Sequence, residues 1–361
     1  MCKNTTPPNL ETWLMPIDML KSERLIQSID IELSRECNNF CMYCFTNAGK
    51  AVDNELSISE IKKVIREGKD IGIKQVVIVG GGEPLLYKGL EEIIDFIKNN
   101  DLEIIILTNG LLLDTKKLDY FYKNKVHIII KLNAINDGQI HDYLVGKNGS
   151  FKKVQKVISS VLKKGYGLLN NPKVAIESII CKTNIQEISV IWRWARNNNI
   201  LPIMELITPQ GRASKMKDLF LSKEEANKLF FQLSEIDKNE YNYEWIPVPP
   251  IAGFFCRRND YSCYITSCGD VFPCSGIDIS IGNVRNESLL QILEDSTLIK
   301  KLRKSDEYLE GECGRCILKG KCYGCRGKAY QVYGNLFAED PLCWFKGKNR
   351  ASLERIVREI S

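Results

Sequence analysis

From about residue 25 to residue 240, short apolar runs alternate with longer amphipathic stretches, and this alternation constrains the fold of the 361-residue chain most. The apolar runs are nearly continuous, as in Gln75–Val79 (QVVIV), which is typical of strands that are covered on both faces. Strands that alternate with helices predict a parallel sheet with the helices outside it. We count six strand–helix units, which favours an α/β fold of the partial (β/α)6 TIM-barrel type over a closed barrel.

The predicted strands and helices follow directly from this pattern. The predicted strands span residues 29–33, 75–79, 103–107, 126–132, 174–180 and 203–207. The predicted helices span residues 57–72, 89–99, 115–123, 151–164, 185–198 and 222–236. Ser57 and Glu60 have the spacing of a capping box at the start of the first helix. In folds of this class, the chemistry is expected in the loops after the carboxyl ends of the strands.

The pattern changes near residues 241–250, where the stretch YNYEWIPVPP is too rich in proline for a long helix. Nine cysteines follow, and the helix and strand signals around them are short. A segment so poor in periodic core is expected to be a small module held together by metal. We therefore predict an N-terminal extension (1–24), a barrel (25–245), a small cysteine-rich domain (246–346) and a C-terminal helix (347–361).

Composition excludes several classes of protein. The formal net charge is only +5 and no basic block occurs, so a nucleic-acid partner is not expected. The chain starts with polar residues, and no run reaches the ~18 apolar residues of a membrane helix. We therefore expect a cytoplasmic protein, in which the 14 cysteines favour metal ligation over disulfides. The chain has only two histidines, which argues against a histidine-rich metal site.

Three cysteines, Cys37, Cys41 and Cys44, follow the first predicted strand in one short loop. A [4Fe–4S] cluster has four irons that thiolates usually ligate, so three thiolates leave one iron open for a substrate or cofactor. The alternatives are buried free thiols or an incomplete zinc site, although structural zinc sites take four ligands.

A glycine run, GGGEP, follows the second predicted strand at residues 80–84. Glycines at a strand end let the backbone approach a ligand closely. Together, CNNFCMYC and GGGEP resemble the radical S-adenosylmethionine (SAM) enzymes. The resemblance implies that the open iron binds the amino and carboxylate groups of SAM. It also implies that reduction, by a flavodoxin- or ferredoxin-type donor, yields a 5′-deoxyadenosyl radical that abstracts hydrogen from a substrate C–H.

The same resemblance implies further SAM contacts at the strand ends. The expected residues are Tyr43, Gly81, Gly82, Glu83, Asn109, Lys131, Asn133 and Glu177. The arginine that many relatives carry after the fourth strand is replaced here by Val145. We therefore expect Lys131 or Lys147 to supply the cation for the SAM carboxylate and Asn133 to contact the ribose. The alternative is that these are ordinary polar residues at a barrel mouth.

Two acidic residues, Glu177 and Glu205, lie in the fifth and sixth predicted strands, which are otherwise apolar. An acid in an apolar strand costs free energy unless it is paired, so at least one is expected to contact a ligand. The alternative is a salt bridge to an arginine such as Arg212.

The C-terminal cysteines resemble the SPASM extension of radical SAM enzymes, which holds auxiliary iron–sulfur clusters. Motif matching implies one cluster on Cys256, Cys263, Cys274 and Cys325, with Cys268 as a rival for Cys263. It implies a second cluster on Cys313, Cys316, Cys322 and Cys343. The expected cofactors are thus three [4Fe–4S] clusters and SAM, whereas Cys2 and Cys181 are plain thiols. The alternative is a zinc ribbon, because paired CxxC motifs also suit zinc.

The resemblance implies an oxidoreductase whose auxiliary clusters accept an electron from the substrate radical. The expected outcome is dehydrogenation, a thioether or a C–C crosslink in a peptide or protein. Only about 36 residues precede the first cluster motif, so a separate peptide-recognition protein is expected to help. Ser275 replaces the aspartate of sulfatase-maturing relatives, which disfavours that reaction. The alternatives are a small molecule, such as a sugar, an aminocyclitol or a tetrapyrrole, and a non-catalytic iron–sulfur or zinc carrier.

Overall fold

The computed structural model describes residues 26–345, and these form an α/β fold built on one sheet. The predicted extension 1–24, the predicted helix 347–361 and Cys2 lie outside the described residues. The strands of this part of the chain are β1 (Ser28–Glu32), β2 (Gln75–Val79), β3 (Glu103–Thr108), β4 (His127–Lys131), β5 (Val174–Ile180), β6 (Leu201–Leu206), β7 (Ser262–Ile265), β8 (Asp270–Phe272) and β9 (Gly282–Asn283).

Strands β1 to β6 are neighbours in chain order, and each pairs in parallel with the next. This confirms the predicted parallel sheet of a partial TIM-type barrel. The carboxyl ends of the six strands therefore lie at one end of the barrel, where active sites of this architecture are found.

In the barrel, helices follow the strands as predicted, with one addition. The helices are α1 (Ile58–Asp70), α2 (Leu90–Asn99), α3 (Thr115–Lys123), α4 (Gly138–Val145), α5 (Ser150–Lys164), α6 (Ile185–Asn197), α7 (Lys223–Tyr241), α8 (Arg258–Tyr261), α9 (Leu289–Asp295), α10 (Thr297–Arg303), α11 (Ser305–Tyr308), α12 (Gly311–Gly314) and α13 (Arg326–Tyr333). The capping box of Ser57 and Glu60 is present. Helix α4, between β4 and α5, was not predicted. Across residues 26–345, no helix has the length and apolar character to cross a bilayer.

The cysteine-rich segment extends the barrel sheet. Strand β7 pairs in parallel with β1, so that Ser262 lies opposite Ser28 and Ile265 opposite Ile31. Strands β8 and β9 then add antiparallel to this edge. The sequence did not predict these strands because they are only four, three and two residues long. The predicted domain boundary near residue 245 stays a prediction, and the two regions share one sheet.

The two faces of the sheet differ in polarity. The outer face and the helices share a large apolar core that includes Ile29, Ile104 and Ile128. The inner face has a smaller apolar cluster that includes Val77 and Ile129. Charged side chains accompany this inner cluster at the barrel mouth: Asp30, Glu32, Lys131, Glu177 and Glu205. Because ionic groups in an apolar interior need partners, their contacts define the candidate site.

A buried ionic network fastens the boundary segment to the barrel. Asp237, which is fully buried on α7, accepts hydrogen bonds from the indole N–H groups of Trp192 and Trp245 at 2.8 and 2.9 Å. It also forms a salt bridge with Arg196 at 2.7 Å. The proline-rich stretch that enters the cysteine-rich segment is therefore held against α6 and α7.

Candidate active site

The loop that carries Cys37, Cys41 and Cys44 begins directly after β1 and is closed by backbone hydrogen bonds. Cys37 N–H donates to Gly49 O at 3.0 Å, and Gly49 N–H donates to Arg35 O at 3.0 Å. The middle of the loop is fixed to the end of α4, because Phe40 N–H donates to Val145 O and Met42 N–H to Leu144 O. The unpredicted helix α4 therefore acts as a support for the cysteine loop.

Arg212, which follows β6, holds the same loop in place through several hydrogen bonds. Its side chain donates to the carbonyl oxygens of Cys41 and Ala48, each at 2.8 Å, and its N–H donates to Cys44 O at 2.9 Å. The guanidinium also lies 4.1 Å from the centre of the Phe40 ring. The alternative of a salt bridge from Arg212 to Glu177 or Glu205 is not observed, since the side-chain donors of Arg212 bind the loop. No local sequence signal connects residue 212 with a loop about 170 positions earlier in the chain.

The three thiols influence one another in a partly buried site. Burial raises the pKa of the Cys41 thiol to about 12, and the charges of Cys44 and Cys37 add to this effect. Burial also raises the pKa of Cys37, with a smaller contribution from Cys44. Metal ligation requires thiolates, so a cationic iron centre is the partner that would make their ionisation favourable here. The three residues thus fit the expected cluster in which they are the only thiolate ligands.

The glycine run packs against the cysteine loop. Glu83 N–H donates to Glu36 O at 2.8 Å, and Thr46 Oγ1 donates to Gly81 O at 2.6 Å. A Cβ atom on Gly82 would lie 2.0 Å from Glu36 O, and one on Gly81 would lie 2.6 Å from the Glu32 carboxyl carbon. The glycines at both predicted positions are therefore required by close contacts inside the protein, whatever ligand they also meet.

The Glu83 carboxylate is buried and holds the end of β3. It accepts hydrogen bonds from Thr108 Oγ1 at 2.5 Å and from the N–H groups of Asn109 and Leu85 at 2.8 and 3.1 Å. Burial raises the pKa of Glu83 to about 7, although these hydrogen bonds oppose the shift. Its observed role is therefore to position neighbouring residues, and its predicted contact with SAM stays a prediction.

Asn109 and Lys147 both hold Asn38 in the cysteine loop. The Asn109 amide donates to Asn38 Oδ1 at 2.7 Å, and Lys147 Nζ donates to Asn38 O at 2.6 Å. Lys147 is thus a loop support, and its expected role as a cation for SAM finds no support in this contact.

Lys131 and Glu177 lie opposite each other in the register of β4 and β5 and form a salt bridge of 2.7 Å. Lys131 Nζ also lies 5.8 Å from the centre of the Tyr43 ring, and its charge lowers the pKa of Cys41 against the larger effect of burial. The alternative of a salt bridge for Glu177 is therefore observed, but with Lys131 as the partner. Both residues lie beside the cysteine loop.

Asn133 is fully buried, and the protein occupies its side chain. Its amide donates to Tyr43 Oη at 2.8 Å and its Oδ1 accepts from Ile179 N–H at 3.3 Å. The predicted ribose contact of Asn133 stays a prediction, and in this structure both polar atoms of the side chain bind protein groups. Asn133 fixes the Tyr43 ring, which packs among Leu144 and Ile207.

Two acids on β1 were missed by the sequence analysis and join the barrel to the cysteine-rich segment. Asp30 forms a salt bridge with Arg258 at 2.7 Å. Glu32 accepts hydrogen bonds from Tyr264 Oη and from Ser267 N–H, and pairs with Arg35 at 2.7 Å. The signal that could have found them is the period of two, which places alternate residues of a strand on one face.

Three of the C-terminal cysteines meet at the barrel mouth. Burial raises the pKa of Cys325 to about 12, and Cys256 contributes to this shift. Burial also raises the pKa of Cys274, with contributions from Cys325 and Cys256. Cys256 packs against the inner cluster of the barrel, and the charge of Glu205 on β6 contributes to the raised pKa of its thiol. The first auxiliary set therefore comprises Cys256, Cys274 and Cys325.

The structure contradicts the predicted place of Cys263 in this set. Cys263 lies opposite Ile29 in the register of β7 and β1, and both belong to the core between sheet and helices. Its neighbour Tyr264 faces the inner cluster, so Cys263 points the opposite way. Burial raises the pKa of Cys263 to about 12, with Asp30 and Arg303 as the charged neighbours. The rival Cys268 lies near Asp53 O, at 3.8 Å, and is also apart from the set.

The four remaining cysteines, Cys313, Cys316, Cys322 and Cys343, lie together as the second auxiliary set. Burial raises the pKa of Cys322 to about 12, and the charges of Cys343 and Cys313 add to this effect. Burial likewise raises the pKa of Cys343 to about 12, with contributions from Cys313 and Cys316. Asp340 joins the two sets. Its N–H donates to Cys313 Sγ at 3.4 Å, and its Oδ2 accepts from Cys325 N–H at 2.7 Å.

A single-ion site is not formed by any of these sets. Within the described range, no three Cys, His, Asp or Glu side chains converge as one metal ion requires. Zinc binds sulfur at ~2.3 Å, so a zinc ribbon would hold its thiols much closer together than a cluster of four irons does. The zinc ribbon stays an alternative to iron–sulfur clusters at these cysteines.

Two family models match separate parts of this chain. Residues 31–174 match the model of the radical SAM superfamily, and residues 256–317 match that of the SPASM iron–sulfur cluster-binding domain. An AdoMet-dependent heme synthase of Methanosarcina barkeri is 26% identical and covers 91% of this chain and 99% of its own.

Two further proteins are similar, one in sequence and one in fold. The antilisterial bacteriocin subtilosin biosynthesis protein AlbA of Bacillus subtilis is 26% identical over 91% of this chain and 72% of its own. The fold resembles that of Streptococcus suis SuiB bound to the precursor peptide SuiA, with a TM-score of 0.69 at 18% identity over 88% of this chain and 76% of that one.

Proposed function

We propose that this chain is a radical SAM enzyme with a SPASM domain and that it oxidises a peptide or protein substrate between the cysteine loop and the first auxiliary set. The radical SAM domain implies a [4Fe–4S] cluster and SAM, and the SPASM domain implies auxiliary iron–sulfur clusters. When bound, the loop cluster and SAM supply the radical that removes a hydrogen atom from a substrate C–H.

One observation carries the proposal: a line of charged side chains connects the two cysteine regions across the barrel mouth. Lys131 lies beside Cys41 and pairs with Glu177. Glu177 raises the pKa of Glu205, after the larger effect of burial, and Glu205 in turn acts on Cys256. A substrate bound along this line would lie near both regions, so that hydrogen abstraction at one end and electron loss at the other would be compatible.

The completed oxidation removes two hydrogens from the substrate. The first leaves as a hydrogen atom, and the second leaves as a proton and an electron. An iron–sulfur cluster held by the first auxiliary set would accept that electron, and the proton requires a base nearby. Glu205 is the carboxylate beside Cys256, and its raised pKa suits it to hold a proton.

The charge balance of the interior supports a peptide. The acids Asp30, Glu177 and Glu205 are matched by Lys131, Arg258 and Lys328, which act on one another electrostatically. A balanced interior suits a neutral backbone better than a polyanion, which requires an excess of cations. AlbA, a bacteriocin biosynthesis protein, and SuiB, whose structure is known with a bound precursor peptide, agree with this choice. The proposal includes an external flavodoxin- or ferredoxin-type reductant and a separate recognition protein for the peptide.

A tetrapyrrole is the second candidate substrate, because the heme synthase relative matches this chain over almost its whole length. AlbA matches over a smaller share of its own length. The two candidates differ in product, since an oxidised peptide loses hydrogens only, whereas a decarboxylated tetrapyrrole side chain also loses carbon dioxide.

The test uses anaerobically reconstituted protein with SAM and dithionite. We expect 5′-deoxyadenosine, and none from the Cys41→Ala variant. Peptides encoded beside the gene and a propionate-bearing tetrapyrrole are then compared by mass spectrometry, with and without a flavodoxin. Loss of two hydrogens from a peptide supports the leading proposal, loss of carbon dioxide from the tetrapyrrole supports the second, and the absence of 5′-deoxyadenosine contradicts both.

A further inference from the structure

The first auxiliary set is one thiolate short of the four ligands that a fully coordinated cubane takes. Cys256, Cys274 and Cys325 act on one another, whereas Cys263 faces the helices and Cys268 lies near Asp53. The fourth position must therefore be filled by a group other than cysteine or stay open.

Two oxygen atoms beside this set are buried and have no hydrogen-bond partner among residues 26–345. They are Tyr323 Oη and Asp260 Oδ1. The Tyr323 side chain is only 4% exposed, and Cys256, Asp260 and Cys274 are the charges that act on its hydroxyl most, after burial. A buried polar atom without a partner is costly, so its persistence needs an explanation such as a missing ion or ligand.

The surrounding residues hold both oxygens in place. Cys256 and Asp260 are four residues apart around the short helix α8, and Asp260 N–H donates to Arg257 O at 2.9 Å. Arg257 Nε binds the other carboxylate oxygen, Asp260 Oδ2, at 2.5 Å. The same guanidinium lies 5.4 Å from the centre of the Tyr323 ring and donates to Gly320 O. Arg257 thus fixes the carboxylate and the phenol while leaving one oxygen of each unpartnered in the described structure.

We propose that the first auxiliary centre is ligated by three thiolates and one oxygen, which comes from the Asp260 carboxylate or the Tyr323 hydroxyl. This rests on the iron–sulfur clusters of the proposed function. An oxygen ligand makes one iron chemically distinct from the other three, because oxygen is a harder ligand than sulfur. It also distinguishes this centre from the second auxiliary set, for which four thiolates are present.

The experiment uses the full chain with Cys37, Cys41 and Cys44 changed to alanine, so that only auxiliary centres contribute. After anaerobic reconstitution, iron content and the electron paramagnetic resonance (EPR) spectrum of the reduced protein are measured. About eight irons per chain are expected, and Cys274→Ala should remove about four of them. Cys263→Ala should leave the iron content and the spectrum unchanged.

The oxygen source is identified by two further variants in the same background. If Asp260 is the ligand, Asp260→Asn should lose one iron on mild oxidation and give a three-iron signal, and Asp260→Cys should retain that iron with an altered spectrum. If Tyr323 is the ligand, Tyr323→Phe should produce the loss instead. The unchanged signal of the second centre shows in each case that the domain has folded.

Two results would overturn the inference. One is loss of about four irons in Cys263→Ala, which would make that cysteine a ligand. The other is an unchanged iron content and spectrum in both Asp260→Asn and Tyr323→Phe, which would leave the fourth position open. Neither result bears on the initiating site, since 5′-deoxyadenosine formation is measured separately on protein with Cys37, Cys41 and Cys44 intact.

Discussion

The cysteine loop after β1 and the cysteine-rich segment after residue 245 hold their thiols by different means. The loop supplies three cysteines within eight residues, and supports from α4, the glycine run and Arg212 then fix its shape. The first auxiliary set draws Cys256, Cys274 and Cys325 from positions up to 69 residues apart. Cysteines that lie close together in the sequence can be predicted to share a site. For cysteines that lie far apart, the prediction also depends on which face of a strand each cysteine occupies.

The largest expected difference between the two regions comes from removing one ligand from each. Cys41→Ala and Cys325→Ala should each reduce the iron content by about four per chain. Only Cys41→Ala should abolish 5′-deoxyadenosine formation, because only the loop lies beside the glycine run. Iron analysis and product chromatography on matched preparations provide the measurement. Loss of 5′-deoxyadenosine in both variants would remove the functional distinction between the regions.

The pH dependence of stability should differ between the regions because of Glu83 beneath the loop. Its pKa of about 7 in the fold lies above the unfolded value of 4.5, so the folded chain binds a proton more tightly. The contribution of Glu83 to the free energy of unfolding should therefore be greatest below about pH 4.5. It should decline by up to about 3 kcal/mol as the pH rises through 7.

Denaturation at several pH values tests this expectation, with Glu83→Gln as the variant in which the decline is reduced. The Cys263→Ala variant serves as a control, since it leaves Glu83 untouched. Equal slopes in the wild type and Glu83→Gln would show that Glu83 is ionised in the fold.

Two arginines hold carbonyl groups in the two regions, and their substitution should affect only the region that each supports. Arg212 binds Cys41 O and Ala48 O, while Arg326 Nη1 binds Leu336 O and Ala338 O. A lysine lacks the forked donors of arginine, so Arg212→Lys and Arg326→Lys should each lower the stability of the region concerned by about 2 kcal/mol.

Iron release to a chelator measures this effect, since Arg212→Lys should speed release from the loop and Arg326→Lys release from the auxiliary sets. EPR identifies which cluster is lost. A uniform acceleration from all clusters in either variant would mean that the regions are not held independently.

The smallest expected effect concerns two lysines that lie at opposite ends of the charged line. Lys131 lies beside Cys41, whereas Lys328, on α13, donates to Leu206 O at 3.5 Å and acts on Cys325. Lys131→Ala should weaken SAM binding about tenfold, or about 1.4 kcal/mol, and Lys328→Ala should leave it unchanged. Equilibrium binding of SAM to reconstituted protein distinguishes the two, and equal affinities would exclude Lys131 from the SAM site.

Much of the barrel could be predicted because its signals are local. The apolar run at residues 75–79 became β2 without any change in bounds, and the capping box at Ser57 formed as expected. Strand β7 was missed because its four residues, SCYI, carry too short a pattern. For the same reason, the sequence could not show that Cys263 faces the helices.

The contacts of the candidate site were less predictable because they join distant parts of the chain. Glu32 meets Tyr264 and Ser267, more than 230 positions later, and Arg212 meets the loop after a separation of 171. Asn133 was assigned to a ligand because it follows a strand, yet tertiary packing buries it completely. Position after a strand therefore predicts proximity to the site but not which groups remain exposed.

The pairing of β7 with β1 has a consequence for synthesis on the ribosome. Ser28 pairs with Ser262, which is synthesised 234 residues later. Until then, the edge of β1 that faces β7 has no strand partner. At about 5–20 residues per second, this synthesis takes roughly 12 to 47 seconds. An open strand edge invites pairing with other chains, so a nascent chain is expected to need protection during this interval.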